Sequence, residues 1–282
     1  MWHAMRAMPP TSDRPARPHP APAAPPLPAE DPALRGAPLD LDELALHWRA
    51  TAARSPMTAE EMRGADHKAQ LMGTSGRWLM EQAGAATAAA VRALLATTER
   101  LAKGPVLVLV GPGNNGGDGC VAARYLARAG HRVAVVLVSA ESRPTTPDAA
   151  SNWDALANVA NAERIHAPQA RDLQMLGQGI EKAAVVVDAL LGTGVRGELR
   201  EPIRSAVDLV RRARAAGVPV LAVDTPTAID LTSGDPSDPA VRADVTVTFH
   251  RPKVGLQTRN GRALAGRVLV APIGIPADAD RS

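Results

Sequence analysis

The chain has 282 residues, 45% of them hydrophobic and 22% charged, an ordinary globular balance that excludes a wholly disordered chain, a coiled coil and a collagen. A formal net charge of +3 and a supply of one Phe, one Tyr and four Trp give neither the electrostatics nor the stacking platforms of a nucleic-acid partner. A single cysteine, Cys120, excludes a disulfide framework or cysteine-based zinc site, and no apolar run approaches the ~18 residues that cross a bilayer, so no membrane partner is expected.

The first residues hold no continuous apolar stretch of the kind a secretory signal needs, and their prolines would break the amphipathic helix of a transit peptide. A reducing, cytoplasmic setting is the expectation. Eleven of the 25 prolines fall within residues 1–40, so residues 1–55 read as a Pro-rich, disordered extension and 56–282 as one folded domain beginning near Ser55. Thr58 and Glu61 have the spacing of a capping box, and helical patterning runs from about Thr58 to Leu71 and from Gly76 to about Leu101.

From there strands and helices alternate. Val106–Val110 is a Val/Leu strand, followed by a glycine-rich turn and a helix through Gly130, and Arg132–Val138 is a second strand. A helix is expected near Asp148–Ala160, a short strand at Arg164–His166 and a helix near Arg171–Lys182. Val185–Asp188, Val218–Val223, Val245–Phe249 and Arg267–Val270 read as further strands, with a helix at about Glu201–Ala216. This alternation predicts an α/β fold, a mostly parallel, doubly wound sheet in three layers.

Three segments fall where such a sheet binds ligands, beyond the carboxyl ends of its strands. The first is Gly111–Gly119, GPGNNGGDG, which loosely satisfies the dinucleotide fingerprint at a helix N-terminus. The acidic ribose partner expected about 20 residues on is missing, and Asp118 inside the turn would repel a diphosphate unless a cation or hydroxyl is bound as well. The plainer reading makes Asp118 an N-cap and the asparagines turn formers.

The second segment is Val185–Gly194, VVVDALLGTG, in which Asp188 ends an apolar strand, either capping the next turn or projecting into the crevice. The third is Val223–Asp230, VDTPTAID, in which Asp224 ends a strand and Pro226 stops the ladder. Together the loops would cluster Asn114, Asn115, Asp118, Asp188 and Asp224, a set suited to acid–base work or to holding a cation. Lys253 reads either as a phosphate contact or as an exposed loop lysine, Cys120 as a small buried residue, and Arg211, Arg212 and Arg214 as a solvated helix face.

In this order, GPGNNGGDG, VVDALLGTG, VDTPTAID and ADVTVTFHRPKVGL, with MTAEEMRGAD and LMEQAG ahead of them, resemble the NAD(P)H-hydrate epimerase family, the YjeF N-terminal domain, over about residues 56–276. The resemblance implies a Rossmann-like α/β/α sandwich, commonly a homodimer, that interconverts the C6 epimers of hydrated NADH or NADPH. It implies that Asn114, Asn115, Gly116, Gly117 and Asp118 bind this substrate, and that Gly192, Thr193, Gly194, Val195, Arg196, Gly197 and Glu198 form a loop over the nucleotide. It further implies a potassium ion held by Asn115, Asp188 and Thr227, and Asp224 beside the reacting ring. Asp224 is the candidate acid–base, with Asp188 second, and a separate dehydratase is the expected pathway partner.

The family usually has Pro-Ser-Gly after its aspartate, where this chain has Pro226-Thr227-Ala228. If the glycine position has positive φ, alanine there costs about 1 kcal/mol or more, or shifts the loop that carries Asp224. A catalytically inactive nucleotide-binding or scaffold protein on the same fold is therefore the alternative. An ordinary NAD(P)-dependent oxidoreductase is disfavoured by the missing ribose acid.

Overall fold

In a computed structural model, residues 26–100, 102–192 and 197–280 are described; Thr193, Gly194, Val195, Arg196 and most of the Pro-rich stretch lie outside them. Seven strands form one parallel sheet: β1 (Val106–Val110), β2 (Val133–Leu137), β3 (Ala162–His166), β4 (Val185–Ala189), β5 (Val220–Val223), β6 (Val245–Phe249) and β7 (Arg267–Ala271). Their order is β3-β2-β1-β4-β5-β6-β7, so the winding reverses between β1 and β4. In register, Leu109 of β1 stands opposite Asp188 of β4, and Asp188 opposite Ala222 of β5.

Each central strand divides its side chains between two cores, as an all-apolar strand buried on both faces must. Val106, Val108, Val110, Val133, Val135, Val185, Val187, Leu221 and Val223 face one core, and Leu107, Leu109, Val136, Val186, Val220 and Ala222 the other.

Ten helices surround the sheet among the described residues: α1 (Leu41–His47), α2 (Arg49–Ala52), α3 (Ala59–Leu71), α4 (Gly76–Thr97), α5 (Asn114–Arg128), α6 (Pro147–Ala155), α7 (Ala170–Leu176), α8 (Ile203–Ala215), α9 (Val254–Gln257) and α10 (Arg259–Ala265). α4 and α5 cover the first core, α7 and α8 the second. The Thr58–Glu61 capping box starts α3 as the spacing predicts, and Ser75 caps α4. α4 buries most of its length because alanine lets it lie close to its neighbours on nearly every side.

The folded part begins well before Ser55. Leu34, Leu41, Leu44 and Trp48 are buried in the first core, Ala29 N–H donates to Gln82 of α4 at 2.8 Å, and Arg92 of the same helix donates to the Leu34 carbonyl at 2.9 Å. An Asp40–Glu43 capping box starts α1. Proline there shapes a packed segment, since Leu and Trp at spaced positions supply the burial that a disordered extension lacks. Just after it, Met57 pairs with the loop beyond β6: its N–H donates to the Pro252 carbonyl at 2.9 Å, and its own carbonyl accepts from Val254 at 3.0 Å.

Candidate functional site

The loops after β1, β4, β5 and β6 meet at the carboxyl edge of the sheet, on both sides of the strand-order reversal. The glycine-rich turn is already helical: α5 starts at Asn114, with Gly113 as its N-cap. Asp118 is thus one turn inside the helix and not its cap. Gly116 is required by close approach, because a Cβ there would collide with the Gly111 carbonyl. The free amides of this helix end give the crevice an anion-favouring wall.

Asp118 is half-buried by exposure. Burial, and then the negative charges of Asp224 and of Asp66 on α3, hold its carboxyl well above the usual carboxylate range. A carboxyl raised in this way repels a diphosphate less than a freely ionised one, which eases the conflict that its place in the turn raises. Asp66, whose own carboxyl burial pushes up, was not singled out from sequence; on an amphipathic helix it reads as a surface acid.

Asp188 is fully buried. Its Oδ1 accepts from the Leu190 N–H at 3.2 Å and the Thr227 hydroxyl at 2.7 Å, and its Oδ2 from the Thr227 N–H at 2.8 Å. Thr227 Oγ1 in turn accepts from the Leu191 N–H at 3.1 Å. Burial raises the Asp188 carboxyl to about 6 against the opposing effect of these bonds. The residue clamps the loop after β4 to the loop after β5.

Asp224, nearly buried, has φ 62, the left-handed region that Asp and Asn tolerate better than most residues. Its N–H donates to the Val247 carbonyl at 2.7 Å. Its Oδ1 accepts from the Thr248 hydroxyl at 3.0 Å and lies 3.6 Å from Lys253 Nζ.

Lys253 departs from both sequence readings. It is fully buried, reaching no solvent, and its Nζ donates to the Phe249 carbonyl at 2.8 Å, Thr248 Oγ1 at 3.0 Å and the Arg251 carbonyl at 3.1 Å. Burial lowers its pKa, and Asp224 opposes that shift. Ala228 has φ 75 and is buried in the second core, so the alanine does sit where glycine is preferred.

Asn115 is buried with both amide atoms unpartnered, and Gly192 stands so close that a Cβ there would lie 3.3 Å from the Asn115 side chain. Gly197 and Glu198 are exposed beyond the undescribed part of that loop. Cys120 is buried, and burial pushes its thiol up, as a small core residue should behave. No group of three or more His, Cys, Asp or Glu able to hold a metal occurs among the described residues.

An open, doubly wound sheet with a helix N-terminus and a carboxyl cluster at its switch point defines a Rossmann-like α/β protein, the class that takes ligands in this crevice. The chain belongs to the YjeF-related protein N-terminus family, whose model matches residues 76–255. It is 35% identical over 230 residues to a protein named NAD(P)H-hydrate epimerase from Cenarchaeum symbiosum, covering 80% of this chain and 98% of that one.

It is also 41% identical over 224 residues to the bifunctional NAD(P)H-hydrate repair enzyme Nnr of Pyrobaculum aerophilum, covering 79% of this chain. This chain spans 42% of that relative's length and 41% of the corresponding protein of Methanothermobacter thermautotrophicus. The crystal structure of yeast ynu0, YNL200c, matches 72% of this chain and 83% of its own with a TM-score of 0.60 at 25% identity.

Proposed function

We propose that this chain is an NAD(P)H-hydrate epimerase, an isomerase that interconverts the two C6 epimers of hydrated NADH or NADPH and so takes part in nicotinamide nucleotide repair. The observation that carries the reading is the carboxyl cluster at the switch point, where the charge of Asp224 helps to raise the Asp118 carboxyl, in a chain alignable over nearly the whole length of a named epimerase.

The substrate defines the chemistry. C6 bears a hydroxyl and is bonded to the ring nitrogen. Asp224 gives a proton to the hydroxyl, the C–O bond breaks with its electron pair leaving on water, and the nitrogen lone pair stabilises the cation. Water then adds to either face of C6, and the Asp224 carboxylate takes back a proton. Asp188, with three donors already on its two oxygens, is left to hold the loops and a cation, not to move a proton. Asn114–Asp118 face the nucleotide at the start of α5.

The residues present fit a potassium ion. The buried, unpartnered Asn115 amide asks for a partner; Gly192 lies against it, and the adjoining Leu191 bonds Thr227, whose hydroxyl meets Asp188, so hard oxygen donors belong to the same loops. Asn115, Asp188 and Thr227 would hold the ion. When bound it would supply positive charge toward an anionic substrate, and Asn115 Nδ2 would remain a donor for that substrate. The proposal extends to a homodimer in the cytoplasm, with a dehydratase acting in the same repair. Several longer relatives carry bifunctional repair-enzyme names, which supports a second repair activity acting on the same nucleotides.

The test is a coupled assay on mixed epimers, with a dehydratase specific for one epimer in excess and NADH recovery followed in potassium buffer. Acceleration of the slow phase in proportion to added protein is expected. An unchanged slow phase overturns the reading and favours an inactive nucleotide-binding or scaffold protein, to which the left-handed Ala228 already lends an observation.

A further inference from the structure

Among the described residues, the side-chain contacts of Asp224 fall on one oxygen. The Thr248 hydroxyl and the Lys253 ammonium both fall on Oδ1, at 3.0 and 3.6 Å. A threonine hydroxyl has one proton to give. Lys253 Nζ, a donor with nothing to accept, occupies the acceptor side of Thr248 Oγ1 at 3.0 Å, so the hydroxyl proton must point away from it, to Asp224. Lys253 is itself fixed by the Phe249 and Arg251 carbonyls, at 2.8 and 3.1 Å. The relay therefore has one direction, from Lys253 through Thr248 to Asp224 Oδ1.

We propose that Lys253 and Thr248 are positioning residues for this reaction: they commit Oδ1 of Asp224 to the part of permanent acceptor and leave Oδ2 as the single oxygen that carries the moving proton. The inference rests on the epimerase reading and deepens it. With the proton on Oδ2, Oδ1 is the carbonyl oxygen and accepts from Thr248. With the proton gone, Oδ1 is a carboxylate oxygen and still accepts. The bond survives both halves of the cycle, so the carboxyl does not turn between giving a proton to the departing hydroxyl and taking one from the incoming water.

A carboxyl free to rotate would lose alignment between these steps, and small misplacements of a reacting group cost large factors in rate. Burying a lysine is expensive for a fold, and the charge of this one is met on the Oδ1 side of Asp224, directly at 3.6 Å and through the Thr248 hydroxyl. Asp224 is pinned at its backbone as well, by the 2.7 Å bond to Val247 and its left-handed φ, so the side chain torsion is the freedom left for Thr248 to remove.

The test compares Thr248→Val, Thr248→Ser and Lys253→Met in the full chain by the coupled epimer assay, with substrate titration and thermal melting. Thr248→Val, close to isosteric, is expected to lower kcat about tenfold or more with KM within about twofold of the parent. Thr248→Ser, which keeps the donor, recovers most of kcat. Lys253→Met, which frees the hydroxyl to turn, reproduces the kcat-selective loss.

Parental kcat in Thr248→Val overturns the assignment, as does a Thr248→Ser variant no better than Thr248→Val, or a KM that rises in step with the fall in kcat. Should Lys253→Met lose its fold, the Val–Ser pair decides alone. A parent chain with no epimerase activity overturns the functional reading, and this one with it; an active parent with an active Thr248→Val overturns this one only.

Discussion

Two aspartates end neighbouring strands, and the sequence presents them almost alike: apolar residues, an acid, then a loop of small residues. Asp188 at the end of β4 is sealed from solvent with both oxygens engaged by Leu190 and Thr227. Asp224 just beyond β5 sits in a left-handed turn with its contacts gathered on one oxygen. The difference lies in what the neighbouring loops offer. Thr227 reaches back across the sheet to close Asp188, while Thr248 and Lys253 arrive on one side of Asp224. A strand-ending acid is thus placed at the crevice by its own segment and given its work by another.

The sharpest way to break this contrast is to neutralise the acid assigned to chemistry. Asp224→Asn is expected to lower kcat about a thousandfold, the middle of the range for a lost acid–base group. Asparagine tolerates the same left-handed backbone, so the melting temperature stays within a few degrees. A large fall in stability with activity retained would make Asp224 the structural residue.

Asp188→Ala should show its effect first in stability. It strands the Leu190 N–H, the Thr227 N–H and the Thr227 hydroxyl in a buried place, at a cost of about 3 kcal/mol or more in urea unfolding. An unchanged midpoint would remove the clamp from the account.

Asp118 reports on the charge of Asp224 through pH. Its folded pKa is raised, first by burial and then by Asp224, so it contributes stability below the ordinary carboxylate range that is lost as pH rises through its folded value. Asp118→Asn removes that loss, and its melting temperature should exceed the parent's by a margin that grows from pH 4 to pH 8. Repeated in an Asp224→Asn background, the margin should shrink. Equal margins at both pH values would show that Asp118 is not held neutral.

The smallest effect belongs to Ala228→Gly. Relief of the left-handed backbone is worth about 1–2 kcal/mol, and loss of the buried methyl opposes it by about 0.8 kcal/mol. A net gain under about 1 kcal/mol is expected in thermal unfolding. A loss instead would mean that the methyl's packing in the second core outweighs the torsion.

The sheet and its switch point were legible because apolar strands of four or five residues, bounded by Gly, Pro and Asp, leave few other readings. The glycine turn was legible for the same reason, down to the helix it opens. Lys253 was not, since its burial depends on carbonyls of Phe249 and Arg251 turning inward, which no spacing announces. The alternation of Thr246 and Thr248 in a buried strand was the signal available: a hydroxyl there needs a partner. Residues 29–48 were misread because eleven prolines dominate the composition near them, while Leu34, Leu44 and Trp48 find their contacts on α4 and beyond, far along the chain. The pairing of Asp66 with Asp118 is likewise tertiary, between helices α3 and α5.

The two outermost strands guard against aggregation by different means. β3 exposes Glu163, Arg164 and His166, charges that discourage another chain from adding to the ladder. β7 is more apolar, and α1 and α2 lie against it, with Leu44 and Trp48 in one cluster with Leu269 and Ala271 and an Asp42–Arg267 ion pair at 2.7 Å. A shortened polypeptide starting at Met57 would keep every residue of the crevice and lose that cover. It should scatter light on warming well before the full chain does, a colloidal failure arising at an edge remote from the chemistry.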